Sequence, residues 1–511
     1  MNRTSGLIKN YIAQFFLQLS LIVVGLILTK FIIVTYGSEV NGLIVSINQF
    51  ISYLSLVEAG IGGATIYSLY MPLAKKDNNK ISSIFTTADK LYYQSGAIFL
   101  VLLFVMIIIY PLVVSANIMT KTEIALFFFI LGIPEMFNFF LMSKYRSLLT
   151  ADKKNHIISF AGMALVYCNA IIIIYLASIG LSVILAKAFA IAAILLQAFI
   201  LIRYCKVKYS YLNYNAPTNK NMIRQRGDVL SIQILTGVHH GLPIVLVTLF
   251  ISLSELSVYS IYNLLFLAIG GIVSIFSNII VPFFGELLAN KDAYKFQEIY
   301  KKFEVAFFMI LAFVYICTIF LAQPFIEIYT QNMADANYDR PMLITLFIIL
   351  GITNYIKAPC GVIMQSSGLF KVTRNQWVVQ TIVALILGVL FIQEWGLSGV
   401  LMAIIVSNLY RDFALISYVS KKIDGIKVGE TLKHILTLIA CICLAFMLHS
   451  YITIDVSTYI SLLTMSVIVA ICSLISVLLI FYLTSKEEVV YIIRKLLMIF
   501  NYINITRGMN K

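Results

Sequence analysis

The chain has 511 residues, of which 61% are hydrophobic and 12% charged, and a formal net charge of +14. A soluble domain carries roughly twice that charged share, so a water-soluble enzyme is excluded first. Repeated apolar runs longer than about 18 residues mark an integral membrane protein. The basic excess then has two readings, a nucleic-acid partner or basic loops on one membrane face, and the positions of the 37 Lys and Arg decide between them.

Apolar windows run over 10–34, 41–70, 91–115, 124–148, 157–177, 182–204 and 228–250. They continue over 257–284, 304–328, 341–366, 376–394, 398–419, 434–454 and 459–484. This predicts an all-α polytopic membrane protein with about fourteen transmembrane helices. The first window is too long for the apolar core of a signal peptide, and no small-residue cleavage pattern follows it. Trp377 and Trp395 bracket the eleventh window and read as an interfacial aromatic pair. Beyond the last window, KEEVVYIIRKLLMIFNYINI reads as an amphipathic helix lying on the cytoplasmic leaflet.

Thirty-one of the 37 Lys and Arg fall in alternate connections, among them Lys75, Lys76, Lys80, Lys144, Arg146, Lys220, Arg224, Arg226, Lys291, Lys301, Lys302, Lys421, Lys422 and the tail through Lys511. The opposite connections hold only Lys121 and Arg340. Both termini are therefore expected in the cytoplasm, with the chain in the plasma or inner membrane. Basic residues spread over eight separate segments form no single patch, which removes the nucleic-acid reading. The seven cysteines make no CxxC, the five histidines make no HExxH, and no Walker sequence occurs. No metal, cofactor or ATP hydrolysis is expected, and the chain is not expected to be an enzyme.

The chain also repeats itself. Leu73, Ala74, Lys76, Asp77, Lys80 and Ile84 recur 215 residues later as Leu288, Ala289, Lys291, Asp292, Lys295 and Ile299, and Lys9 and Gln18 pair with Arg224 and Gln233. Six spans per copy give two lobes of one orientation, a parallel repeat around a central cavity. The expected division is an N-lobe at 1–204, a basic linker at 205–227, a C-lobe at 226–420, two appended spans within 421–484 and a tail at 485–511. Helix breaks are expected at Gly60, Gly62 and Gly63, at Gly132 and Pro134, at Gly241 and Pro243, at Gly270 and Gly271, and at Pro359 and Gly361, where they would face protein or a wet cavity.

Ionisable groups within spans carry the functional expectation, because each is costly in hydrocarbon. Lys30, Lys187, Lys357 and Arg411 are the cations that topology does not use. Glu58 and Glu135 are the acids, and His239 with His240 lies mid-span beside Gly241. Snorkelling accounts equally well for Lys30 and Lys187, an Arg411–Asp412 pair for that cation, and packing for one histidine. A net-basic set suits an anion, above all a phosphate, through charge-assisted hydrogen bonds. Glu58 and Glu135 would balance those cations or carry a coupling ion.

Tyr36, Gly37, Glu39 and Gly42 after the first window, then SLVEAGIGGA at 55–64 and LYMPLAKKD at 69–77, resemble the polysaccharide-transport flippases, the Wzx-type O-antigen and capsule repeat-unit flippases of the multidrug/oligosaccharidyl-lipid/polysaccharide exporter superfamily. The resemblance implies translocation of undecaprenyl-pyrophosphate-linked oligosaccharide to the outer leaflet by alternating access through a cationic cavity. Its partners would be the lipid-linked glycan, membrane lipids and the polymerase and chain-length machinery that use the product. Lys30, Lys187, His239, Lys357 and Arg411 are read here as the set that meets the pyrophosphate. Alternative readings within the superfamily are a lipid II flippase and a multidrug or cation antiporter. A major-facilitator transporter is disfavoured because MPLAKKDNNK lacks the glycines of that family's loop signature, and a membrane glycosyltransferase or polymerase because no large external loop occurs.

Overall fold

The computed structural model of the chain describes residues 3–114, 116–219, 227–289, 293–423, 426–452 and 456–508. Lys220, Arg224, Arg226, Lys291, Asp292 and Lys511, named above for topology or for the repeat, lie outside the described residues, as does 220–226 of the linker.

The helices are α1 (Arg3–Tyr36), α2 (Ser38–Ser55), α3 (Ile61–Lys75), α4 (Asn78–Val113), α5 (Lys121–Phe137), α6 (Ser143–Ala151), α7 (Asn155–Ser178), α8 (Val183–Lys208) and α9 (Gly227–Phe250). They continue as α10 (Leu253–Ala289), α11 (Ala293–Thr330), α12 (Pro341–Tyr355), α13 (Ala358–Ser366), α14 (Phe370–Lys422), α15 (Val428–His449), α16 (Tyr459–Thr484) and α17 (Lys486–Gly508). Among the described residues no β-strand forms beyond one isolated bridge, Ala116 to Met119. Ends are closed locally. Thr120 and Thr458 each make a reciprocal capping box, and Asp77 accepts the Lys80 backbone N–H at 3.1 Å. That hydrogen bond holds the half-buried Asp77 carboxyl below its usual range.

Among the described residues, thirteen helices are long and apolar enough to cross a membrane. One of them, α14, has 53 residues, and at about 1.5 Å per residue it is far longer than one bilayer crossing. It turns at Gly396, whose φ of 54° and ψ of −133° are non-helical, and so supplies the eleventh and twelfth expected spans. The same helices carry large exposed apolar side chains, Ile108, Leu463 and Phe413 among them. Faces of that composition suit lipid rather than water. The chain is a multi-pass membrane protein.

Two expectations need correction. The window 41–70 is two helices: a 3-10 turn at Leu56–Glu58 ends α2, Ala59 is non-helical, and Gly60, at φ 81°, starts α3. Of the expected breaks, only those at Gly60 and just before Pro359 interrupt the backbone; α5 runs through Gly132 and Pro134, α9 through Gly241 and Pro243, and α10 through Gly270 and Gly271. Isolated prolines within long helices are tolerated there because neighbouring helices hold the backbone. The Trp377 ring carries the Arg411 guanidinium at 3.6 Å.

The repeat extends from residues to helix boundaries. The starts of α2 and α10, α4 and α11, and α7 and α14 each differ by 215, as do the ends of α6 and α13. Within the fourth span of each copy the helix is disturbed at one register: the π-helical segment Asn138–Met142 in the first corresponds to the break between α12 and α13 in the second.

Contacts divide the chain into two compact units, Met1–Ile261 with Met333–Ala336, and Tyr262–Asn332 with Asn337–Lys511. In the first, aromatic and aliphatic clusters around Phe85, Tyr92 and Tyr145 and around Phe99, Phe127 and Phe128 are closed to solvent. Also in the first unit, α2 packs closely on its neighbours. A Cβ on Gly42 would lie 1.8 Å from the Leu253 carbonyl oxygen, Asn41 donates to Ser257 and Ser260 at 2.8 and 3.0 Å, and Asp335 accepts from the Ser38 N–H and hydroxyl. In the second, α11 is the hub, packing against α12, α15, α16 and α17.

Candidate functional site

The first unit contains a cavity of about 550 Å³ between α1, α2, α5, α7 and α8. Its wall is mostly aliphatic, and its polar groups are Asn48, Ser52, Ser55, Glu135, Asn169 and Lys187. Lys187 is half-buried, five residues into α8, whose Ser182 cap accepts the Leu185 N–H. An ammonium and a helix N-terminus contribute potential of the same sign there. The Glu135 carboxylate lines the same cavity, so its ionisable groups are one cation and one acid. Lys30, two residues beyond Leu28, lies outside this lining.

Glu135 joins the cavity to a second group. Asn138 of the π segment donates to its carboxylate at 2.8 Å. Glu58, at the end of the 3-10 turn, accepts from Ser143 at 3.4 Å and lies within electrostatic reach of both Glu135 and Arg146. Arg146 of α6 donates to Gln197 of α8 at 3.3 Å, while its Nε is buried with no partner. The two acids expected to act together are thus neighbours, and a cation counted above as a loop residue stands between them and α8. π segments inside helices recur at functional sites because the extra residue re-aims the side chains around it.

His239 is buried, at 2% exposure, in the part of α9 that packs on α2, while His240 is exposed. Close approach explains the neighbouring glycine, since a Cβ on Gly241 would meet Gln49 and Tyr53 at 2.1 and 2.5 Å.

The second unit gathers Lys357 and Arg411 into one buried network. The α12–α13 break exposes the Thr353 carbonyl, which accepts from Lys357 Nζ at 2.8 Å; the same ammonium donates to Asp412 Oδ1 at 3.0 Å. Arg411 lies over Trp377 and donates to Gln380 at 3.2 Å. Gln380 donates to Asn408 at 2.6 Å, and Asn408 to Asn354 at 2.9 Å. Lys357, Arg411 and Asp412 are each under 9% exposed. Asp412 Oδ2 and Arg411 Nε are buried without a partner.

A third cluster escaped the sequence reading. Glu304 of α11, 1% exposed, accepts from Thr431 at 2.7 Å, His434 Nδ1 at 2.9 Å and Tyr300 at 3.1 Å. Tyr300 also contacts Cys360 Sγ at 3.5 Å. Lys301 pairs with Glu430 at 3.0 Å, and Lys302 lies over Tyr491 of α17. The N-terminal part of α11 thereby fastens both α15 and α17. Among the described residues no group of His, Cys, Asp and Glu has the makings of a metal site.

No protein-family model and no curated protein matches the chain by sequence. Solved structures do match in fold. The lipid II flippase MurJ in an inward closed conformation superposes with a TM-score of 0.67 at 15% identity, over 93% of this chain and 99% of that one. An inward-facing multidrug resistance MATE family transporter of the MOP superfamily gives 0.65 at 14% identity, over 80% of this chain and 95% of that one. The Vibrio cholerae MATE transporter VcmN in its bent form gives 0.56 at 14%, over 84% of this chain and 98% of that one. At these identities the likeness establishes the fold, a polytopic helical architecture also used by a lipid flippase and by multidrug transporters.

Proposed function

We propose that the chain is a flippase of the MOP superfamily that moves polyprenyl-diphosphate-linked oligosaccharide repeat units from the cytoplasmic to the outer leaflet for surface-polysaccharide assembly. It works by alternating access, without catalysing a chemical step, and both termini face the cytoplasm of the cell that carries it in its plasma or inner membrane. The observation that carries this reading is the cavity of about 550 Å³ in which Lys187 stands among amides, hydroxyls, aliphatic side chains and the Glu135 carboxylate that balances its charge. A diphosphate needs a cation held out of water, a glycan needs amides and hydroxyls, and the polyprenyl tail stays in lipid. The fold shared with a lipid flippase supports the same class.

Lys357 and Arg411 form the second anion-binding cluster, with Gln380 and Asn408 beside them. Glu58, Glu135 and Arg146 carry the coupling or charge-balancing role. Lys30 and His239 complete the proposed cationic set at positions away from the cavity wall. Outward passage of a dianion from an inside-negative cell releases about 2.3 kcal/mol per charge per 100 mV, so the membrane potential drives the step.

Substitution at Lys187 tests the reading. In vesicles loaded with lipid-linked oligosaccharide, Lys187→Met should slow appearance of glycan in the opposite leaflet by about tenfold or more, the loss of about 1.4 kcal/mol of charge-assisted binding. Lys187→Arg should retain most of the rate. Unchanged flux in Lys187→Met would overturn the assignment.

A further inference from the structure

We propose that Asp412 is a proton-binding group that decides whether Lys357 is free to hold an anion; the inference rests on the preceding reading of Lys357 and Arg411 as diphosphate ligands. With Asp412 ionised, Lys357 Nζ is committed to Asp412 Oδ1 and to the Thr353 carbonyl. A proton taken from water onto Asp412 removes the charge that holds the ammonium, and Lys357 can then turn to a phosphate oxygen.

Three observations converge on this. First, the site is incomplete as it stands: Asp412 Oδ2, an acceptor, and Arg411 Nε, a donor, are both buried without partners. Orphaned polar atoms of that kind cost on the order of 1–3 kcal/mol each, a cost that a further hydrogen-bonding partner would relieve. Second, the repeat supplies an internal control. Position 412 corresponds to Gln197 in the first copy, which accepts from Arg146 just as Asp412 accepts from Lys357. Holding a cation from the fourth span therefore requires only a neutral acceptor, and the carboxylate of the second copy adds something the fold does not need. That addition is the ability to titrate. Third, the charges fit. Lys357 and Arg411 against one carboxylate leave a single net positive charge, and protonation of Asp412 leaves two, which matches a dianion.

Proton and anion then bind with mutual reinforcement, since a coupling between two sites is reciprocal. The charged and titratable groups facing Asp412 are Lys357 at the α12–α13 break, Cys360 of α13 and Arg411 of α14 itself. Of these only Lys357 is hydrogen-bonded to it, so Lys357 is the group the proton releases.

The test is anion binding to the purified full-length protein, with methanedisulfonate as a probe whose own charge is constant between pH 5 and 8. Affinity of the unmodified protein should tighten as pH falls, by at most about tenfold per pH unit, the limit for one linked proton. Asp412→Asn should bind tightly throughout with no slope. Asp412→Gln, which copies the residue of the first repeat, should behave likewise and guards against a folding defect of the first variant. A slope that persists in both variants, or a flat profile in the unmodified protein, overturns the proton exchange while leaving the cation assignment standing. Absence of binding at every pH in all three proteins contradicts the cation assignment and with it this inference.

Discussion

Gln197 and Asp412 occupy one position of the 215-residue repeat, and each accepts a hydrogen bond from a cation of the fourth span in its own copy. In the first copy the donor is Arg146 of α6; in the second it is Lys357, one helical turn earlier in register. The contact is thus preserved in kind while its charge differs, neutral acceptor in one unit and carboxylate in the other. That difference separates what holds the helices together from what can respond to protons or to substrate.

The Lys357–Asp412 pair has a stability signature. Lys357→Met strands a buried carboxylate and should destabilise the protein by about 3–5 kcal/mol. Lys357→Met combined with Asp412→Leu removes both charges and should recover most of that loss. Thermal unfolding of the detergent-solubilised variants reads the comparison. Equal destabilisation of the single and double variants would mean that the charges do not depend on one another.

Glu304 is the corresponding test for the C-terminal helices. Glu304→Ala leaves Thr431, His434 and Tyr300 without their shared acceptor and should cost about 3 kcal/mol or more, with α15 the element most loosened. Glu304→Gln keeps one carbonyl oxygen and should cost less. Limited proteolysis between α14 and α15 checks where the loosening falls; protection equal to that of the unmodified protein would contradict the fastening role of Glu304.

How much of this was legible in the sequence differs by residue, for physical reasons. Lys187, Lys357, Arg411, Glu58 and Glu135 stand out because a charge within an apolar run has few inexpensive explanations. Arg146, Glu304 and His434 did not stand out. They lie near the ends of apolar windows, where topology alone accounts for a charge, and only the packing of α6 and α11 shows them buried or half-buried. The stacking of Trp377 on Arg411 was equally hidden, because it joins residues on opposite halves of α14 that meet only after the chain turns at Gly396. The glycine-rich stretch at 60–63 did announce a break, whereas Pro134 and Pro243 did not produce one, since proline interrupts a helix only where its neighbours leave the backbone unsupported.

Gly396 offers a clean backbone experiment. Its φ of 54° with ψ of −133° is a conformation that side chains strongly disfavour, and a Cβ there would touch nothing. Gly396→Ala should therefore cost about 1–3 kcal/mol through backbone strain alone, visible as a lowered melting temperature. No change would show that the turn between the two halves of α14 relaxes freely to another geometry.

Translocation itself is the most direct test. Reconstituted into vesicles with an imposed potential, the protein should flip a polyprenyl-diphosphate oligosaccharide. It should not flip the same glycan on a neutral polyprenol, and a cationic dye should not compete. Translocation of the dye in exchange for protons, with no movement of the diphosphate-linked glycan, would contradict the account and place the chain among the multidrug transporters whose fold it shares.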